Sequence, residues 1–104
     1  MELAPKLSHT AAMILQAIDA GNRYGLSIME MAGLPSGTVY PALRRLERDR
    51  LVVSHWETAK AAEKEGRPAR KFYRLTTAGQ EALAASRRRY PHLAGLFVRT
   101  EATR

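Results

Sequence analysis

The stretch from residue 33 to residue 49, GLPSGTVYPALRRLERD, constrains this chain more than any other. It opens on turn-forming residues, with Ser36 positioned to cap a helix, and then Val39, Leu43 and Leu46 recur at helical spacing. At about 100° per residue these three make one apolar stripe, while Arg44, Arg48, Pro41 and Arg45 fall on the far side with Thr38 and Tyr40 on the shoulders. A helix divided in this way is anchored by one face and presents cations and hydroxyls on the other. Taken alone, a cationic outer face is more often a solvated surface than a binding surface, so its meaning depends on its neighbours.

The neighbours are two more helices and a hairpin. Residues 9–20 follow Ser8 as N-cap and place Ala11, Ile14, Leu15 and Ile18 in a stripe that Met13 and Ala17 widen, before Gly21 and Asn22 stop the helix. That stripe exceeds what one small core needs. It is either buried on two sides of its own domain or shared with a second subunit, and the second alternative is preferred. Residues 24–32, YGLSIMEMA, read as a short helix whose Met29 and Met31 fill gaps in the core, closed by Gly33-Leu34-Pro35. Two short helices across a Gly-containing turn, with arginines outward on the second, make a helix-turn-helix.

Residues 51–56, LVVSHW, and 71–75, KFYRL, are rich in branched and aromatic residues and read as strands. The polar segment between them, residues 57–70, is punctuated by Gly66 and Pro68 and reads as a loop. A hairpin directly after the recognition helix is the wing of a winged helix. Its C-terminal flank groups Arg67, Arg70 and Lys71, placed to lie over phosphates or reach a minor groove. Trp56 is read as a strand residue covering the core rather than as an aromatic platform for a ligand. Thr77 and Gln80 have capping-box spacing, so a last helix begins near residue 78. Leu83, Ser86, Tyr90, Leu93 and Phe97 then recur three and four apart, the spacing of a helix that pairs with another, and Pro91 kinks or ends it. The Arg87, Arg88, Arg89 triplet reads as a solvated face or as favourable charge at a helix C-terminus.

The expected fold is mainly α with a small β-hairpin. A winged helix-turn-helix domain over residues 1–77 precedes a C-terminal dimerisation helix and tail over 78–104. Ile14, Ile18, Leu83, Tyr90, Leu93 and Phe97 are the expected dimer contacts. With 104 residues the core is small, and a partner subunit would help to stabilise it.

Charge narrows the class of partner. Seventeen Lys and Arg against ten Asp and Glu leave a net +7, a field that favours polyanions, and the excess begins at residue 36 because the segment before it is slightly acidic. The chain has no cysteine, hence no disulfide framework or thiolate chemistry, which agrees with a cytoplasmic location. No apolar run approaches the ~20 residues of a membrane span, and the N-terminus lacks a charged-then-apolar leader, so a soluble, unexported protein is expected. His9, His55 and His92 share no ligand spacing, and no metal is expected. With Asp19 and Asp49 as the only aspartates, no Gly-rich phosphate loop and no identifiable pairing of nucleophile and base, no catalytic residue or cofactor is assigned and an enzyme is not expected.

Three segments, SGTVYPALRRLERDRLV, SHWE and GRPARKFYRLTTAGQEAL, together resemble the PadR-type winged-helix transcriptional regulators. The pattern of that family runs Ser-x-Gly-Thr-(Leu/Val)-Tyr-Pro, Leu-x-x-Leu-Glu, a Trp-containing strand and Tyr-Arg-Leu-Thr-x-x-Gly. Tyr24-Gly25 also falls where the family has Tyr-Gly at the head of its second helix. The resemblance covers about residues 8–85. It implies a homodimer on a roughly palindromic double-stranded DNA operator, usually a repressor, sometimes released by a small hydrophobic or phenolic effector. It puts Thr38, Tyr40 and Pro41, with Ser36 just before them, where the recognition helix approaches DNA. Arg44, Arg45 and Arg48 join them as the exposed basic face. Tyr40 and Arg44 are expected on phosphates, Thr38, Arg45 and Arg48 near base edges, and two such helices about 34–36 Å apart in the dimer. The connection between the second and third helices is shorter than in many members. The chain ends soon after its last helix, so dimerisation is expected to rest on residues 78–97 with help from 9–20. The alternative function is a winged-helix module for protein or RNA contacts. Salt parts it from DNA binding, which weakens steeply as salt rises.

Overall fold

A computed structural model describes residues 6–95. In chain order the elements are α1 (His9–Asp19), α2 (Gly25–Ala32), α3 (Ser36–Arg48), β1 (Val52–Trp56), α4 (Ala59–Lys64), β2 (Lys71–Leu75) and α5 (Thr77–Arg89), followed by a 3-10 turn at Leu93–Gly95. Helix α1 is the hub, packing against α2, α3, α5 and β2. Its Ser8 cap accepts a hydrogen bond from Ala11 N–H at 3.1 Å, and Gly21, at φ 109°, releases the chain in the left-handed region. Asn22 ties the next turn together, donating to the Ala17 carbonyl at 3.2 Å and accepting from Ser27 at 2.7 Å.

The helix-turn-helix closes through Gly33 at φ 69°, whose N–H donates to Met29 O at 2.8 Å. Helix α3 begins at Ser36 with Pro35 as its N-cap residue. Ser36 is thus the first helical residue and not the cap, and no side chain caps this end. Val39, Ala42, Leu43 and Leu46 bury the inner face of α3.

Strands β1 and β2 pair antiparallel from Val52↔Leu75 to Trp56↔Lys71, and an isolated bridge Tyr24↔Phe72 adds the α1–α2 connection to the edge of the hairpin. The segment between the strands holds a helix that the loop reading missed. Thr58 caps α4 by accepting from Ala61 N–H at 3.1 Å, Ala62 is buried, and Gly66 at φ 69° follows. The cap of α5 is Thr76, one residue before the expected Thr77. It accepts from Gly79 N–H at 2.9 Å while its hydroxyl donates to Arg50 O at 2.7 Å and its own N–H donates to Leu51 O at 3.0 Å. The helix ends at Arg89, two residues before Pro91.

The expected dimer contacts need correction. Ile14, Ile18, Leu83 and Leu93 are all buried in the core of a single chain, because α5 folds back along α1 and the two apolar stripes fill each other. The wide stripe of α1 is therefore buried on two sides of its own domain. Tyr90 is half-buried, donating to Leu7 O at 2.9 Å and meeting His9 edge-on at 4.9 Å. Phe97 lies outside the described residues. Arg87 is part of the same packing, holding Gln16 and Asp19 of α1 at 3.0 Å each.

Candidate nucleic-acid interface

Because the inner stripe of α3 is fixed in the core, its outer face is fixed as well. Arg44 and Arg45 stand exposed there, and neither side chain makes a hydrogen bond or ion pair among the described residues. Arg48 is exposed beside Asp49 at 3.4 Å, a surface pair that leaves most of its charge available. Ser36 is exposed at the start of the helix, and Thr38 and Pro41 are half-buried. Pro41 sits inside α3 without an N–H to offer the Gly37 carbonyl.

Tyr40 leans back from α3 onto the N-terminus of α2. A Cβ built on Gly25 would collide with the Tyr40 hydroxyl and ring, so Gly25 is glycine to admit that phenol. This is the physical content of the Tyr24-Gly25 pair. Tyr40 remains 39% exposed, so one edge of its ring packs and the other faces solvent.

The cations of the wing divide. Arg67 does not project from it: its guanidinium grips both carboxylate oxygens of Glu57, at 2.6 and 3.0 Å, and also donates to Pro68 O at 3.1 Å. Glu57 accepts Arg70 N–H at 3.1 Å as well, so one carboxylate clasps the two ends of the wing segment. The expectation of Arg67 on phosphates is replaced by this brace, which a sequence separation of ten residues did not reveal. The hydrogen bonds from Arg67 outweigh partial desolvation and hold the Glu57 carboxyl below its usual value, and the same contact raises the Arg67 guanidinium above its own. A depressed carboxyl stabilises the fold above its unfolded pKa, near 4.5, and that contribution is lost as pH falls through the lower folded value. We expect the melting temperature of Glu57→Gln to lie below that of the parent by a constant margin between pH 6 and 8. The gap should close as acid is added below pH 4.5; a gap independent of pH would show that the ionised carboxylate is not its source, and no gap at all would show that the clasp contributes nothing.

Arg70 and Lys71 stay available in part. The Arg70 guanidinium lies 3.9 Å over the Tyr24 ring, and Lys71 Nζ is 3.8 Å from Glu47 and 5.9 Å from the Trp56 ring centre. Glu47 also accepts a hydrogen bond from Ser54 at 2.5 Å, which ties α3 to β1. Trp56 does not cover the core as expected but is 64% exposed. Alternation along β1 does put it on the face of buried Val52, but at the far end of the strand it borders an open hollow shared with Leu26 and Tyr40 instead of the core. Burial pushes the Tyr73 phenol upward, which keeps it neutral at physiological pH.

Among the described residues no group of three or more His, Cys, Asp or Glu gathers as a metal site, and no helix is long and apolar enough to cross a membrane.

Comparison with known proteins agrees with this fold. The chain is similar to Transcriptional regulator Rv3488 of Mycobacterium tuberculosis, with 47% identity over 58 residues, which cover 56% of this chain and 49% of that protein. It thus spans about half the length of the curated relative it matches. Its fold is similar to that of a PadR family transcription regulator from Clostridium difficile R20291, at a TM-score of 0.70 and 21% identity over 89% of this chain and 98% of that one. A transcriptional regulator from Clostridium thermocellum aligns at a TM-score of 0.67 and 20% identity, covering 86% and 90% of the two chains. The model of the Transcriptional regulator PadR-like family matches residues 14–85, from the middle of α1 into α5 and so through the whole helix-turn-helix and wing. The chain belongs to the PadR-like family of transcriptional regulators.

Proposed function

We propose that this regulator binds double-stranded DNA as a dimer and represses by occupying a two-fold-symmetric operator. The observation that carries the reading is the pair Arg44 and Arg45, exposed and without ion pairs among the described residues on a helix whose opposite face is locked in the core. The uncapped first turn of α3 supports it, since the free N–H groups of a helix N-terminus attract phosphate. In this reading Arg44 holds phosphate, Thr38 and Arg45 approach base edges, and Arg48 lies at the margin. Residues 1–77 serve DNA, while residues from 78 onward join two copies. With the inner face of α5 closed within the protomer, the joining surface is its outer face, where Glu81, Ala84 and Arg88 lie exposed.

The test is selection of random or genomic DNA fragments on the purified protein near physiological salt, with sequencing of what is retained. The expected result is a motif with two-fold symmetry and half-sites one helical turn apart. Retention without a motif would reduce the reading to non-specific basic binding, and absence of retention would turn the surface toward protein or RNA.

A further inference from the structure

Along β1, the face of the hairpin that packs on the helices runs from buried Val52 through half-buried Ser54 to exposed Trp56. The core therefore holds the base of the wing and not its outer part. The Glu57–Arg67 clasp joins the two ends of the wing segment to each other, not to α3. Glu47 makes the missing connection. Its carboxylate accepts from the Ser54 hydroxyl of β1 at 2.5 Å and stands 3.8 Å from Lys71 Nζ of β2, so one side chain of α3 touches both strands. After burial, its nearby charge adds to the upward push on the Tyr73 phenol, also of β2. Among the described residues no other side-chain hydrogen bond or ion pair joins α3 to either strand. Its place is nonetheless adverse to a polyanion, because Glu47 is the one acidic residue of α3, a turn on from Arg44 and beside Arg48. Leu43 and Leu46 of the same Leu-x-x-Leu-Glu stretch are taken up by the core, which leaves the glutamate to be accounted for.

We propose that Glu47 is a positioning residue for operator recognition, bracing the wing against α3 so that the arginine face and the wing keep one fixed spacing, without touching DNA itself. The inference rests on the DNA-binding reading above and adds to it a source of selectivity. Unrelated DNA is held by exposed cations wherever they stand, since phosphates repeat along any duplex. An operator must meet α3 and the wing in one register, and a wing that swings has to be ordered at each such encounter. The carboxylate thus lowers attraction to DNA in general and raises the preference for one sequence.

Glu47→Ala and Glu47→Gln remove the same charge, but only Gln keeps an acceptor for Ser54. Both should bind an unrelated duplex as tightly as the parent or up to about threefold more tightly. The ratio of affinities for the selected operator and the unrelated duplex should fall about tenfold in Glu47→Ala and at most about threefold in Glu47→Gln. An unfolded fraction lowers both affinities alike, so this ratio does not register a loss of stability. Ser54→Ala, which changes no charge, should reproduce the fall, and combining it with Glu47→Ala should add nothing, as for two ends of one contact. Before any DNA is added, amide hydrogen exchange over residues 53–56 and 71–73 should quicken about tenfold in Glu47→Ala and in Ser54→Ala. Exchange unchanged in both would overturn the brace. Faster exchange with the parental ratio would overturn its part in selectivity while the DNA reading stands. Equal falls in Glu47→Ala and Glu47→Gln would assign the effect to charge and overturn the brace as its source. A parent that binds neither duplex would overturn the DNA reading and this inference with it.

Discussion

Replacing Gly79 by alanine is expected to lower stability by about 3 kcal/mol, a fall in melting temperature of roughly 12–24 °C for a domain of this size. The reason lies in how α5 starts. Thr76 caps the helix and reaches back to Arg50, and its N–H holds the Leu51 carbonyl. These bonds draw the first turn of α5 onto the backbone that leaves α3. A Cβ on Gly79 would collide with the Leu51 carbonyl oxygen, a backbone atom that cannot swing aside as a side chain can. Alanine gains up to about 1 kcal/mol in helix propensity over glycine, and the collision outweighs it. Gly37→Ala is the control, because it lies in α3 with no heavy atom near the new methyl and should melt no lower than the parent. If thermal unfolding of Gly79→Ala coincides with that of the parent, the close approach at Leu51 is not a constraint on the fold.

Replacing Arg44 and Arg45 together by alanine is expected to weaken binding to the selected operator by about 100- to 1,000-fold. Loss of one bidentate contact to a base costs about 1–3 kcal/mol, and loss of one phosphate contact lowers the salt slope by about one. The two single variants should differ in kind. Arg45→Ala should relax the preference at one position of each half-site, while Arg44→Ala should weaken all sequences alike. Both side chains are exposed, so melting temperatures should hold. A repeat of the fragment selection on Arg45→Ala that returns the parent motif unaltered would remove the base-reading role from this residue.

What the sequence made legible was local. The ends of α1, β2 and α5 follow from caps, Gly and Pro within a few residues of the ends they set, and the stripe of α3 is visible at once from its period. The Tyr-Arg-Leu-Thr-x-x-Gly pattern was recognisable as a family mark, but its reason, a cap joined to a tight backbone crossing at Leu51, appears only when the end of α3 is brought beside it. Helix α4 did carry a signal, the run TAKAAEK with a threonine cap and strong helix formers, which the charge of the segment obscured. Trp56, the Glu57–Arg67 clasp and the burial of Leu83 and Leu93 against α1 depend on distances between segments remote in the chain. A stripe at helical spacing looks the same whether it fills its own core or meets a second copy, which is why Ile14, Ile18, Leu83 and Leu93 read as dimer contacts although they fill the core of one chain.

The two residues in α3 that favour helix least, Gly37 and Pro41, bear on what can be done with that helix outside this protein. Its second half is made of good helix formers, but with these two in its first half a 13-residue helix is marginal alone, and the helical form is secured by Val39, Ala42, Leu43 and Leu46 settling into the rest of the domain. The arginine face is therefore not a transferable part, and a graft of α3 onto another scaffold must carry the seat beneath it. Within its own chain the same dependence makes the arginine face an indicator of core integrity. Loosening beneath α3 would blur the positions of Arg44 and Arg45 while much of the protein still counts as folded.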